Sequence, residues 1–179
     1  MFFGRLTLFR GLFASLLLFS TFHDSTAQTE MFPALNGETL TGKKVSLPGE
    51  SQIPILIVIG FSRASQEQTL GWGKCMHQLK AQQLEFSYRP VAELESVPRP
   101  FRGFVEKSIG NAVPSELHDN FVLLFEGEKA LKQLAHFDRS EEAYVILLDA
   151  KAGISWQDHG PCNDARVSAL HKKMKSTAH

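Results

Sequence analysis

The 179-residue sequence contains only two cysteines and no excess of charge of either sign. Two cysteines are too few for a disulfide-framework miniprotein or a four-cysteine zinc site, but they allow one disulfide, one redox pair or two inert thiols. The 19 basic and 19 acidic side chains create no basic field that attracts phosphates, which argues against nucleic-acid binding. Hydrophobic residues make up 43% of the chain, so we expect one folded domain rather than disorder.

The chain also lacks an apolar run that is long enough to span a bilayer, which takes about 20 residues. Its N-terminal segment has Arg5 and Arg10, then a shorter, mainly apolar stretch at 11–22, then small residues up to Ala27. This order is typical of a signal peptide, with an uncleaved anchor as the alternative. We therefore predict a signal peptide at 1–27 and an exported domain at 28–179, periplasmic or secreted, with no stable membrane span after cleavage.

The exported segment begins with turn-forming residues and a strand-like run. Residues 32–48 set apolar residues beside Asn36, Gly37 and Gly42, which predicts a β-hairpin. Residues 53–61 form an unbroken run rich in β-branched side chains, as in a central strand buried on both faces. This run is the predicted core strand.

A helix and a second strand follow. Apolar residues at helical spacing predict a helix over 66–84, which Gly71 and Gly73 weaken by about 1 kcal/mol each. Alternating aromatic residues predict a strand at 84–91, parallel to the first strand because a helix-length connection separates the two.

The rest of the chain alternates short helices and strands. The predicted elements are a helix at 101–111, a strand at 121–125, a short helix after Gly127, a hairpin of 143–149 with 154–158, and a C-terminal helix after Asp164. In the hairpin turn, Gly153 stands at a position suited to a positive φ angle. Trp156 alternates with Ile154, which predicts that the two side chains face the same side of the sheet.

This order of elements resembles the thioredoxin-like fold: an α/β three-layer sandwich with an N-terminal β-hairpin extension and a C-terminal helix. One branch of that fold is similar in more detail. The similar residues are Phe32-Pro33, 37–42, Gly60-Phe61, Gln68 with Trp72, and 144–149 with 153–156. They resemble the mitochondrial F0 ATP-synthase assembly factors and their bacterial relatives. That resemblance implies help in the assembly or maintenance of a membrane protein complex, with a protein partner in the cell envelope.

Redox members of the fold carry a nucleophilic cysteine at the start of the helix after the core strand, where the helix dipole lowers its pKa. Here residues 61–68 contain no cysteine, and Ser65 or Gln66 takes that place. Residues 138–144 lack the proline that thioredoxins place before the late hairpin. The resemblance thus implies a redox-inactive binding protein rather than an enzyme, with Arg63, Ser65 and Gln66 as candidate binding residues.

Copper-delivering members of the fold use two cysteines on the first loop and a late histidine. This first loop has none, and the region before the hairpin offers His136 and Arg139 instead. A second possible metal pair, His159 with Cys162, lacks further ligands nearby, and a turn followed by a helix cap accounts for those residues as well. We predict no metal and no cofactor.

The two cysteines leave three interpretations open. Cys75 shares helical spacing with Trp72, Met76 and Leu79, which favours a buried thiol packed in the core. The alternatives are a disulfide with Cys162 and a displaced redox nucleophile. In the last case Cys75 or Cys162 would be catalytic, and the protein would be a thiol-dependent oxidoreductase or peroxidase.

A partner surface is predicted around the start of the 101–111 helix. Residues 98–104 interrupt a compact pattern and mix aromatic with basic side chains. Arg99, Phe101 and Arg102 are therefore candidate binding residues, because aromatic and arginine side chains contribute much of the energy of protein interfaces. The alternative is a solvated helix edge. Trp72, by contrast, is expected in the core.

Overall fold

The computed structural model describes residues 29–80 and 84–177, except the side chains of residues 78 and 177. The predicted signal peptide lies outside these residues. The strands and helices, in chain order, are β1 (Leu35–Thr39), β2 (Lys44–Leu47), β3 (Ile55–Gly60), α1 (Gln66–Lys80), β4 (Ser87–Glu93), α2 (Arg99–Ala112), β5 (Val122–Leu124), α3 (Glu128–Leu134), β6 (Ala143–Leu148), β7 (Ile154–His159) and α4 (Asp164–Thr177). No helix in the described ranges has the length and apolar character that crossing a membrane requires.

The strands form one mixed sheet in the order β2-β1-β5-β4-β3-β6-β7. β3, β4 and β5 run parallel to one another, whereas all other neighbours are antiparallel. Parallel pairing follows from the helical connections between these three strands, which carry the chain back to the same edge. The hairpin that the sequence predicts is found as β1 and β2, and it extends the sheet beyond β5.

Two hydrophobic clusters, one on each face of the sheet, hold the three layers together. β3 serves both, because its successive side chains point to opposite faces and all five residues Ile55–Ile59 are buried. α3 covers the first cluster, which includes Phe32, Leu35, Ile55, Ile57, Ile59, Leu131, Leu134 and Ile146. α1 and α4 cover the second, which includes Leu56, Val58, Trp72, Met76, Leu79, Leu170 and Met174.

α1 begins at Gln66 and continues through Gly71 and Gly73 to Lys80. The rest of the predicted helix includes residues 81–83, which lie outside the described residues. The predicted strand at 84–91 is found as β4, which begins later and ends two residues beyond Val91.

α2 differs from the other helices in its packing. Every residue of α2 is described, and none is buried. The helix starts at Arg99, two residues earlier than the spacing of its apolar residues predicts, and Pro100 lies in its first turn. Proline is well tolerated there because the first turn of a helix leaves its amide positions unpaired anyway.

The β6–β7 hairpin corrects two details of the sequence analysis. The residue with a positive φ is Ala152, at 65°, and not Gly153. A bulge shifts the register after Leu147, so that Leu147 pairs with Trp156 but Leu148 pairs with Ile154. The extra residue turns Trp156 toward the second cluster, whereas Ile154 packs against the first. The two side chains therefore face opposite sides.

Candidate functional site

The first loop, residues 61–66, follows the carboxyl end of β3 and leads into α1. Ser62 caps a short 3-10 turn: its side chain accepts a hydrogen bond from the amide of Ala64 at 3.0 Å. Ser65 is fully buried, and its hydroxyl donates to the carbonyl of Ser62 at 2.8 Å. The Ser65 hydroxyl therefore shapes the loop, whereas Arg63 is exposed and Gln66 is half-buried.

Residues 138–142, before β6, are joined to the first loop, and the first residue of β6 is joined to α1. The Ser62 hydroxyl donates to the carbonyl of Ser140 at 2.6 Å, and the Gln68 side chain accepts from the amide of Ala143 at 3.1 Å. The hydroxyl of Tyr144 accepts from the amides of Asp138 and Arg139 at 3.0 and 2.9 Å. Side-chain hydrogen bonds thus fix the segment in which thioredoxins place a cis-proline.

Two adjoining cavities of about 810 and 370 Å³ lie between α1 and α2. We call them together the α1–α2 groove. The lining residues that both share are Thr69, Leu70, Val91, Ala112, Val113 and Phe121. Val58 and Tyr88 contribute to the floor of the larger cavity, and the smaller cavity reaches the first loop at Arg63 and Gln66. Volumes in this range are typical of ligand and partner sites in proteins.

One rim of the groove is aromatic. Phe104 is 76% exposed and lines the smaller cavity, and Phe101, one turn earlier on α2, is 61% exposed. Val105 and Ile109 face the same cavity and are half-buried. Residues 98–104 are exposed, as the sequence analysis predicts, except Arg102, which is half-buried; their role in binding stays a prediction.

The two arginines of this surface differ. Arg99 is exposed at the first residue of α2. The guanidinium of Arg102 lies 4.8 Å from the centre of the Phe125 ring, and its Nε donates to the carbonyl of Val97 at 3.0 Å. Arg102 therefore attaches α2 to the loop after β4, and Arg99 is the residue that is available to a partner.

Glu93, which the sequence analysis does not single out, also lines the smaller cavity. It ends β4, is only 3% exposed, and accepts a hydrogen bond from the amide of Glu95 at 2.6 Å. Burial is the main cause that raises the pKa of the Glu93 carboxyl from 4.5 to about 7, and the hydrogen bond from Glu95 opposes it. An acidic residue between apolar residues at the end of a strand is the signal in the sequence that points to it.

Cys75 and Cys162 form a disulfide with a Cα–Cα distance of 6.7 Å. It joins α1 to the segment before α4, next to Trp156 and Val167 at the second cluster. This bond corrects the favoured interpretation of Cys75 as an unpaired thiol. In the disulfide neither sulfur is a thiolate, so neither acts as a nucleophile or a metal ligand.

His159 and Trp72 also have structural partners. The Nδ1 atom of His159 pairs with the carboxylate of Glu142, and its ring stacks on Tyr144 with a centroid separation of 5.5 Å. Trp72 is fully buried and donates from Nε1 to the carbonyl of Gly160 at 2.8 Å. The prediction that Trp72 belongs to the core is confirmed.

No family model and no curated protein matches the chain, but solved structures match most of its length. BsSco, a member of the Sco family of cytochrome c oxidase assembly proteins, is 14% identical with a TM-score of 0.59, covering 84% of this chain and 95% of that one. A SCO1/SenC family lipoprotein from Bacillus anthracis is 13% identical with a TM-score of 0.57, covering 85% and 97%. The thioredoxin domain of a thiol-disulfide oxidoreductase from Bacteroides vulgatus is 20% identical with a TM-score of 0.57, covering 83% and 98%.

The chain therefore has the thioredoxin-like fold that the order of its elements predicts. Its N-terminal hairpin, mixed seven-strand sheet and C-terminal helix agree with that prediction. At these identities the similarity establishes the fold, and one fold carries many functions.

Proposed function

We propose that this chain is an exported thioredoxin-fold binding protein without redox chemistry at its first loop, and that it assists the assembly or maintenance of a membrane protein complex. The observation that carries the proposal is the α1–α2 groove, which opens beside a first loop that has no cysteine. The resemblance to the F0 ATP-synthase assembly factors supplies the kind of partner.

The contacts of the first loop support a binding role. Ser65 or Gln66 takes the position of a nucleophilic thiol, and Ser65 is buried with its hydroxyl bonded to Ser62. The two cysteines pair with each other away from this loop, between α1 and the segment before α4. A thiol-dependent oxidoreductase would need that disulfide to be reduced and its sulfurs to be accessible.

The apolar surface of the groove supports a partner that buries apolar side chains. Phe101 and Phe104 are exposed on a helix with no buried residue, next to a largely apolar cavity. Covering one such aromatic side chain contributes about 1.5–3 kcal/mol. Arg63 and Gln66, which line the smaller cavity, then form a polar rim, an arrangement that is common in protein interfaces.

BsSco, which shares the fold, belongs by its description to a family of cytochrome c oxidase assembly proteins. That description supports the idea that this scaffold suits assembly work. Because this chain and BsSco are only 14% identical, an experiment on this chain itself identifies its complex.

Site-specific photo-crosslinking tests the proposal. Benzoylphenylalanine replaces Phe104 in the full chain, which is then mixed with detergent-solubilised membranes of the source organism. We expect crosslinks to subunits of one membrane complex. The matched control carries the same group at Lys129, which is exposed on α3 at the opposite face of the sheet. Equal crosslinking from both positions contradicts the proposal.

A thiol assay tests the competing function. The proposed binding protein has no thiol-disulfide exchange or peroxidase turnover above the C75A/C162A variant. Turnover in the wild-type chain that this variant loses identifies the cysteines as catalytic and overturns the proposal.

A further inference from the structure

Three glutamates meet where β4 ends and α3 begins. One carboxylate oxygen from each of Glu93, Glu95 and Glu128 lies within 4.8 Å of the other two. Glu93 is the last residue of β4, Glu95 follows in the next loop, and Glu128 is the first residue of α3. We call these residues the glutamate cluster. Like charges at this separation repel one another, so the fold needs something to compensate them.

Glu93 is the member whose surroundings are incomplete. Its side chain is 97% buried, since the residue is 3% exposed, and Oε1 accepts the hydrogen bond from the Glu95 amide. Its Oε2 atom is buried and has no hydrogen-bond partner among the described residues. An unsatisfied buried polar atom costs about 1–3 kcal/mol, and such atoms in native proteins usually have a bound partner.

The cations around the cluster do not satisfy this oxygen. Lys132 Nζ lies 2.5 Å from Glu128 Oε1, on the helix that carries both. Arg102 Nη2 donates to the main-chain carbonyl of Glu95 at 3.3 Å and not to its carboxylate. The ammonium group of Lys132 thus pairs with one of the three carboxyl groups, which leaves an excess of negative charge when all three are ionised.

We propose that Glu93, Glu95 and Glu128 bind one hard divalent cation, and that Ca²⁺ fits the cluster best. Carboxylate oxygens are the ligands that Ca²⁺ prefers, and it binds them at about 2.3–2.6 Å. Ca²⁺ also accepts irregular oxygen sets that water completes, whereas Mg²⁺ requires a near-ideal octahedron. The cation takes the unpartnered Oε2 of Glu93 as a ligand.

This site borders the proposed partner site, because Glu93 also lines the smaller cavity of the α1–α2 groove. Its ligands come from the end of β4, the following loop and the start of α3, and none of them is an exposed residue of the aromatic rim. Cation binding is measured on the chain alone and partner binding by crosslinking from position 104, so the failure of one proposal is distinguishable from the failure of the other.

Calorimetric titration of the chelator-treated full chain with CaCl2 tests the site. We expect one Ca²⁺ per chain and a Tm that rises with Ca²⁺ concentration, because a ligand that binds only the native state stabilises it. Ca²⁺ is raised to about 10 mM, since weak protein sites have a Kd of about 10⁻³ M. Mg²⁺ is titrated in parallel.

The variants E93Q and E128Q keep the size of each side chain but remove a charged ligand. Both are expected to lose the Ca²⁺-dependent rise in Tm while circular dichroism shows that they remain folded. E126Q, which removes an exposed carboxylate outside the cluster, is expected to keep it. The proposal is overturned if the wild-type chain gives no heat and no rise in Tm, if E93Q and E128Q bind like the wild type, or if Mg²⁺ binds and Ca²⁺ does not.

Discussion

Ala152 and Gly153 are neighbours in the β6–β7 turn, but one has a strained backbone and the other has no room for a side chain. Ala152 has a φ of 65°, in the left-handed region where a Cβ atom costs about 1–2 kcal/mol. Gly153 needs space and not backbone freedom, because a Cβ there would lie 2.8 Å from Asp149 Oδ2 and 2.8 Å from the Thr29 side chain. Glycine therefore occupies the position with the closest contacts, and alanine occupies the position with the strained backbone.

Exchanging these properties one at a time tests this interpretation. A152G is expected to raise the free energy of unfolding by about 0.5 kcal/mol, because relief of strain exceeds the added flexibility of the unfolded chain. G153A is expected to lower it by about 1 kcal/mol or more, because Asp149 must move away from the new methyl group. Urea denaturation of both variants measures the changes. Effects of the same sign contradict the assignment.

Glu142 makes the stability of the fold depend on pH. Its hydrogen bond with His159 lowers the pKa of the carboxyl below its usual 4.5, and the charge of Arg139 acts in the same direction. A carboxyl whose pKa is lowered on folding stabilises the fold above pH 4.5, and this contribution is lost as the pH falls through the folded-state pKa. We expect E142Q to have a lower Tm than the wild type at pH 6, with a smaller difference at pH 3.

Glu141 provides the matched control, since it is the adjacent acid and is exposed. The E141Q variant is expected to follow the wild type at both pH values. A constant difference between E142Q and the wild type across this range would mean that packing, and not charge, is what Glu142 contributes.

At the scale of elements, the disulfide links α1 to the segment before α4 on one face of the sheet. The two cysteines are 87 residues apart, and a cross-link that closes so long a loop restricts the unfolded chain strongly. We expect C75A/C162A to lose about 2–4 kcal/mol of unfolding free energy, measured with denaturant. Dithiothreitol is expected to reduce the stability of the wild type and to leave that of the variant unchanged. If neither the substitution nor dithiothreitol lowers the stability, the disulfide does not stabilise the fold.

Elements with a strong local pattern are the ones that the sequence predicts well. The apolar run of β3 and the spacing of Trp72, Met76 and Leu79 in α1 reappear as buried residues in the fold. The spacing of apolar residues predicts a start of α2 that is two residues too late. Arg99 and Pro100 do not belong to the apolar pattern, but the first turn of a helix accepts both residues. The sequence also does not predict the bulge beside Leu147, because the bulge depends on how β6 pairs with β7 and not on the residues of β6 alone.

The candidate site was predictable only in part for a related reason. Exposure of Phe101 and Phe104 follows from a local break in the pattern, and the absence of a thiol from the first loop is read directly. The meeting of Glu93 with Glu128, and of Cys75 with Cys162, arises from strand order between distant segments. One sequence contains no local signal for such contacts.

At the scale of the whole molecule, the aromatic rim, which consists of Phe101 and Phe104, is expected to contribute to partner binding and not to stability. Phe101 and Phe104 are exposed and α2 buries none of its residues, so the fold does not depend on them. We expect F101S/F104S to keep its unfolding free energy within about 0.5 kcal/mol of the wild type, as is usual for surface substitutions. The same variant is expected to lose the partner that co-purifies with the wild type. A large loss of stability would instead show that the rim belongs to the core in solution.

The order of the two cysteines along the chain also determines when the protein is completed during its synthesis. A ribosome that adds about 5–20 residues per second needs about 4–17 s to make the 87 residues from Cys75 to Cys162. Throughout that interval Cys75 has no partner cysteine, and the strands β4 to β7 are made one after another within it. Maturation therefore requires an oxidant that acts late, and a chain that meets its oxidant early exposes Cys75 to pairing with a foreign thiol.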